Sequence, residues 1–274
     1  MTDFSFAVSG VTAPLWLPPL AAAGIAFFTT MVGISGAFLL MPFQMSVLGY
    51  ASPGASATNL VYNLVSIPGA VLRYGREGRL AWSLALTITA GGAPGTWLGA
   101  WLRMRYLAER GAFEGFVALI LLYLGARMLT DVFGRRKQPA LDAALPDYSM
   151  PAMLALSFLV GVVGTAYGIG GGSFMVPICV TVFRMPVYAV AGATLTATLL
   201  TSVFALAGYL WLPAPAGVAV RPDWALGLLF GFGGFVGGML GARCQRHVPQ
   251  RALKLLLAVI LLGLALRYGI GAII

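Results

Sequence analysis

The sequence predicts an all-α integral membrane protein made of two homologous halves in inverted orientation, each a glycine-broken helical hairpin plus three transmembrane helices. Three observations lead there. Hydrophobic residues make up 59% of the chain and charged residues 9%, too little polar material to surface a soluble domain of 274 residues. Apolar windows long enough for a bilayer core, which needs about 20 helical residues, fall at 13–50, 53–72, 80–102, 112–132, 150–183, 186–212, 223–242 and 252–273. They show no alternation of apolar and polar residues that would suit a β-barrel. Finally, one phrase is written twice, half a chain apart: GISGAFLLMP from Gly33 to Pro42 and GIGGGSFMVP from Gly168 to Pro177.

The stretch leading into the first window carries Asp3 and no Lys or Arg, so it lacks the basic leader of a signal peptide and is expected to stay in the mature protein. At 38 residues it is too long for one crossing, and the glycines at 33–36 give it a place to turn back. The second window carries Thr58, Asn59, Asn63 and Ser66. The third carries Gly91, Gly92, Gly95 and Gly99 at helical spacing, where small residues let membrane helices approach closely. Glu114 and Asp131 stand at the two ends of the fourth. The polar stretch 134–149 then reads as a linker between a first repeat, 1–133, and a second, 150–274.

The second repeat follows the same order. A window broken at Gly168–Gly172 is followed by a helix with Thr194, Thr196, Thr198, Thr201 and Ser202. Next comes a glycine-rich helix with Gly233, Gly234, Gly237 and Gly241, and then a final apolar segment. If each broken window goes in and returns, one face of the membrane holds Arg103, Arg105, Arg110, Arg221 and Arg267, and the other holds the remaining twelve of the 17 basic residues. That asymmetry follows the positive-inside rule and makes the linker cytoplasmic, with both termini outside. The net charge of +9 therefore reads as basic cytoplasmic loops and lipid contact, and no nucleic-acid partner is expected.

A helix interrupted at bilayer depth must find partners for its freed N–H and C=O groups, so it persists only inside protein or beside a wet pathway. The helix that restarts after the break presents N–H groups and a positive dipole end, which favour an anion. The candidate binding residues are therefore those of the breaks, Gly33, Ser35, Gly36, Gly168, Gly170, Gly171, Gly172 and Ser173, with the polar groups of the following helices, Thr58, Asn59, Asn63, Thr194 and Thr198. Amides and hydroxyls can donate to an anion without placing a fixed charge in lipid. Gln44 is a weaker candidate, having Cys179 at the matching place in the second half.

No Asp, Glu or His lies well inside a window, so a proton relay through side chains is not expected. The lone histidine, His247, sits among Arg243, Arg246 and Arg251 and reads as a cytoplasmic surface group. Cys179 and Cys244 lack a CxxC spacing and read as inert thiols, and no metal or cofactor is expected.

The doubled glycine phrase followed by Pro, the small-residue helix with Ala-Thr at 57–58 and 193–194, and the glycine-rich helix of each half resemble the TauE/SafE family of sulfite exporter-like permeases. The resemblance covers about Gly24 to Arg267. It implies export of a small anion, sulfite or an organosulfonate, across the bacterial inner membrane by a multi-pass permease that is not an enzyme. Its partners would be that anion and membrane lipid, with a homo-oligomer left open. Two alternatives stand beside it. GISG matches the GxSG of rhomboid-type intramembrane serine proteases, with Ser35 as nucleophile, but that chemistry needs a histidine base within reach. A passive anion channel would carry the same residues.

Overall fold

The computed structural model describes residues 3–31, 34–76, 78, 80–133, 147–183, 185, 187–244, 248 and 250–271. Gly33, His247 and all of the expected linker before residue 147 lie outside the described residues. Ten helices are present among the described residues, and their order repeats. In the first half these are α1 (Leu17–Met31), α2 (Ala37–Ser46), α3 (Pro53–Arg76), α4 (Trp82–Arg105) and α5 (Arg110–Phe133). In the second half they are α6 (Met150–Tyr167), α7 (Met175–Thr181), α8 (Val187–Trp211), α9 (Trp224–Cys244) and α10 (Gln250–Gly271). Both doubled glycine phrases fall where the sequence puts them, between α1 and α2 and between α6 and α7.

Among the described residues four stretches are long and apolar enough to cross a membrane: Arg110–Thr130, Met150–Tyr167, Val190–Trp211 and Trp224–Cys244. Helices α3 and α4 are longer than some of these but more polar. Most of their polar residues are turned into the protein, where Ser56, Thr58, Asn59, Asn63 and Thr96 are fully buried. A helix whose polar side is covered by protein does not need an apolar surface all round.

The glycine-rich helices explain how the halves lock together. On α9, a Cβ at Gly233, Gly237 or Gly241 would overlap the carbonyl of Pro19, Ala23 or Phe27, so α1 lies directly on these three glycines. On α4, a Cβ at Gly91, Gly95 or Gly99 would overlap the carbonyl of Leu154, Phe158 or Val162 on α6. Each residue of the second trio is the repeat partner of one in the first. The first helix of each half therefore packs on the fourth helix of the other, at backbone distance. The side chains that would separate them are absent, which lets dispersion and Cα–H contacts act along the whole crossing. Helices α5 and α10 pack together, as do α3 with α8 and each of α3 and α8 with the opposite glycine-rich helix.

The second broken pair closes on itself, and the first is tied at its ends through α3 and α9. Tyr148, just before α6, lies edge-on to Phe183, just after α7, with ring centroids 6.3 Å apart. At the first pair, the Tyr50 hydroxyl beyond α2 lies 3.4 Å from Thr58 Oγ1. That same oxygen accepts the Asp223 N–H at 2.9 Å. Asp223 then caps α9 through the Leu226 N–H and takes both the N–H and the hydroxyl of Ser9. A capping carboxylate is stabilised at a helix N-terminus, and here it also ties down the chain ahead of α1. The all-α expectation needs one addition. Phe4–Ser5 and Thr12–Ala13 form a two-residue antiparallel ladder, too short to leave a periodic signal in sequence, held in place through Ser9.

Candidate functional site

The two breaks are built differently. Helix α6 stops because Gly168 adopts a left-handed conformation, φ +96°, and its N–H folds back to the carbonyls of Gly164 and Thr165 while Ile169 N–H also reaches Gly164. Gly170 follows at φ +76°. An L side chain is strained in this region, so glycine is required at both positions. At the first break Gly36, at φ −59°, caps α2. Ser35 supplies the missing acceptor, taking the Ala37 N–H on its Oγ at 3.3 Å.

Asn63 joins these breaks. Its Oδ1 accepts the Ser35 hydroxyl at 2.9 Å, and its Nδ2 donates to the Ile169 carbonyl at 3.1 Å and to Ser202 Oγ at 3.3 Å. One fully buried amide thus holds the first break, the second break and α8. Around it, Gly171 N–H finds Thr201 Oγ1 at 3.0 Å. Ser173 Oγ lies 3.3 Å from Thr198 Oγ1. A Cβ on Gly172 would press into the backbone of α8 at Thr194 and Thr198. A second polar contact lies beside the first. Asn59 Nδ2 donates to the Ala37 carbonyl at 2.8 Å, and Gln44 Nε2 donates to Asn59 Oδ1 at 3.3 Å.

Pro42 extends the joint between halves. A proline has no N–H, so inside α2 it leaves the carbonyl four residues earlier without its helical donor. That carbonyl belongs to Phe38, and the Tyr167 hydroxyl from the end of α6 donates to it at 2.9 Å. The Phe38 and Tyr167 rings also stack, 5.7 Å between centroids.

The structure brings Ser35, Asn63, Ser173 and Thr198 to the breaks with Gly168, Gly170, Gly171 and Gly172. Gly36 lies against the Tyr62 hydroxyl. Asn59 sits one turn away, with Gln44. Thr58 is elsewhere, bonded to the Gly54 carbonyl and to Asp223 at the α9 cap. Thr194 bonds back to Val190 and Ala191 of its own helix, and Thr198 to Thr194, in the way hydroxyls often do in apolar helices. Thr201 and Ser202, noted in the sequence as polar groups of α8 but not placed among the binding residues, join the site, and Tyr62 and Ser56 went unnoticed. Ser56, Asn59 and Asn63 follow one another at spacings of three and four, which is one stripe of α3.

No described side chain in this centre carries a formal charge. Two internally broken helices, each turned by glycine, meeting around a buried uncharged amide and hydroxyls, define a membrane transporter. The chain belongs to the TauE/SafE family: the family model described as Sulfite exporter TauE/SafE matches residues 19–268. Among curated relatives, a probable membrane transporter protein, YunE, of Bacillus subtilis (strain 168) is 21% identical over 253 residues, covering 85% of this chain and 89% of the relative. A probable membrane transporter protein of Xylella fastidiosa (strain 9a5c) is 24% identical over 246 residues, covering 86% and 89%. The probable membrane transporter protein ORF9 of a Sinorhizobium species is 25% identical over 248 residues, covering 90% and 89%.

Proposed function

We propose that the chain exports a small anion, sulfite or an organosulfonate such as sulfoacetate, across the bacterial inner membrane. The observation that carries this reading is the Asn63 junction, where an amide and hydroxyls gather between two broken helices with no acidic side chain beside them. Such a centre holds N–H and O–H donors that an oxyanion would take over from their internal acceptors, and it imposes no charge repulsion on the anion. The family match supports the sulfur oxyanion over other anions. An inside-negative potential drives anion exit by about 2.3 kcal/mol per charge per 100 mV. Export therefore requires no carboxylate proton relay.

The reading includes two halves inverted across the membrane, each broken pair entering and leaving by one face. It is supported by the swapped packing of α1 on α9 and α6 on α4, by the closure of the second pair through Tyr148 and Phe183, and by the tie of the first pair's ends through Thr58 and Asp223. The same reading makes the protein multi-pass, with the basic linker inside. Single cysteines at Met1 and Lys137 are expected to label from opposite sides of the membrane, and labelling from one side would replace inversion with a parallel repeat.

The substrate is tested by a thermal-shift panel on purified protein with sulfite, sulfate, sulfoacetate, taurine, thiosulfate and chloride. Sulfite or sulfoacetate is expected to raise the melting temperature of the wild type and to raise that of Asn63→Ala less. A shift with chloride alone would point to another anion class. Saturable flux with counterflow in proteoliposomes separates a carrier from a passive channel.

A further inference from the structure

Arg103 is the largest fully buried side chain described, 0% exposed, near the end of α4. The charge count places it with the residues of a solvated face, but the structure encloses it. Its Nε donates to Ser56 Oγ at 3.2 Å and its Nη2 to the Ala51 carbonyl at 2.6 Å, while the guanidinium lies 3.5 Å above the Phe113 ring. Nη1 has no partner, and no carboxylate pairs with this cation among the described residues. A guanidinium has five N–H donors and a full charge, and burying it without a counter-ion costs several kcal/mol.

Two further orphans lie in the same corner. Ser52 Oγ and Thr165 Oγ1 are buried without hydrogen-bond partners. Ser52 adjoins Ala51, whose carbonyl Arg103 holds. Thr165 accepts the Tyr209 hydroxyl on its carbonyl at 3.0 Å, and its Cβ packs at Gly99, one turn before Arg103. Tyr50 and Tyr209 lie within electrostatic reach of the guanidinium. The corner also holds the start of α3, whose dipole adds positive potential. Among the described residues four buried side-chain atoms lack a partner: one is Nη1 of this cation, two are the hydroxyl oxygens of Ser52 and Thr165 in the same corner, and Gln44 Oε1 lies elsewhere.

The corner is continuous with the Asn63 junction. Ser56, which holds Arg103, touches the second break: its Oγ lies 3.5 Å from the Ala166 carbonyl, and Gly168 packs on its backbone. Seven residues along the same stripe of α3, about 10 Å by helical rise, lies Asn63.

We propose that Arg103, with the hydroxyls of Ser52 and Thr165, forms a second binding site for a small oxyanion, one that the anion occupies between the Asn63 junction and the end of the molecule where α3 begins. The ligand is a sulfur or phosphorus oxyanion, whose several oxygens can take Nη1 and both hydroxyls together; a halide has no such set. As a station for the exported anion, this site rests on the transport reading above. As an oxyanion site it stands without it.

Thr165→Val makes the cleanest test, because it removes an oxygen that bonds nothing here, and Ser52→Ala accompanies it on the side of Tyr50. Their ligand-free melting temperatures are expected to match the wild type, and each is expected to weaken binding of radiolabelled sulfite at one of two sites about three- to tenfold. Arg103→Lys, which keeps the charge and loses the planar fork, is expected to lose that site by tenfold or more. Asn63→Ala should remove the other site and spare this one. If sulfite binds with unchanged affinity and stoichiometry in Ser52→Ala, Thr165→Val and Arg103→Lys, the proposal is overturned while export stands. If sulfite and sulfonates do not bind, but inorganic phosphate or sulfate binds and depends on Arg103, the site stands and sulfite export falls. If no oxyanion binds the wild type, both fall.

Discussion

The halves share a scaffold and differ in their lining. Gly91, Gly95 and Gly99 on α4 do for α6 what Gly233, Gly237 and Gly241 on α9 do for α1, residue for matched residue. At the breaks the polar residues differ. The second half turns on left-handed glycines, Gly168 and Gly170, and presents only hydroxyls, from Ser173, Thr198, Thr201 and Ser202. The first half re-enters its helix through Ser35 and presents amides, from Asn59, Asn63 and Gln44, where the second half has Leu195, Leu199 and Cys179. Backbone approach is thus repeated in both halves, because each needs it to close the bundle. The polar chemistry is divided between them, and a single amide from the first half completes the turn of the second.

The largest expected effect tests the shared part. Gly237→Ala and Gly95→Ala each put a methyl into a carbonyl of the facing helix, Ala23 or Phe158. Each should cost about 3 kcal/mol, the upper end for overpacking, read as lost thermal stability in detergent and lower abundance in membranes. The two losses should agree within about 1 kcal/mol. A tolerated methyl at one site only would break the equivalence of the two crossings.

Asn63→Leu comes next and imports what the second half carries at Leu199. It strands the Ile169 carbonyl and the Ser35 hydroxyl, at about 1–3 kcal/mol for each buried group left unpartnered. Stability should fall by about 2 kcal/mol, and anion flux by at least about tenfold. Full flux with reduced stability would leave Asn63 as a brace between the breaks, with no part in binding.

Much of this was legible in the sequence, for physical reasons. The helices and their breaks follow from apolar run length and from glycine, and the packing glycines follow from their spacing of four. The pairing of side chains across halves was not legible. Whether Asn63 meets Ile169, 106 residues away, depends on the rotation of α3 against a turn in the other half, which no local pattern encodes. Arg103 shows the same limit. A charge count assigns it to a face, whereas its burial depends on Ser56, Ala51 and Phe113 arriving from three other elements. Thr58 shared the small-polar signature of its neighbours but points to the α9 cap, since one residue along a helix is a rotation of about 100°.

The amide pair of the first half sharpens the comparison at smaller cost. Asn59→Leu imports Leu195 and should lose about 1 kcal/mol, because the Ala37 carbonyl and Gln44 Nε2 are left without it. Adding Gln44→Leu should recover part of that loss, since Gln44 Oε1 is already unpartnered and the second substitution removes two orphans together. A double-mutant cycle by thermal unfolding is expected to show coupling of at least about 0.5 kcal/mol, and strict additivity would mean that the two amides do not act as a pair.

Thr194→Ala should do least. Its hydroxyl bonds only to Val190 and Ala191 on its own helix, whose carbonyls keep their helical donors, so the loss should stay under about 0.5 kcal/mol. What Gly172 presses on at this position is the Thr194 backbone carbonyl, which the substitution leaves in place. Flux near wild type would fit a second half that contributes glycine turns and the hydroxyls nearer Asn63. A tenfold loss of flux at unchanged melting temperature would mean that the Thr194 hydroxyl leaves its helix to meet the anion, and the division of polar chemistry between the halves would have to be redrawn.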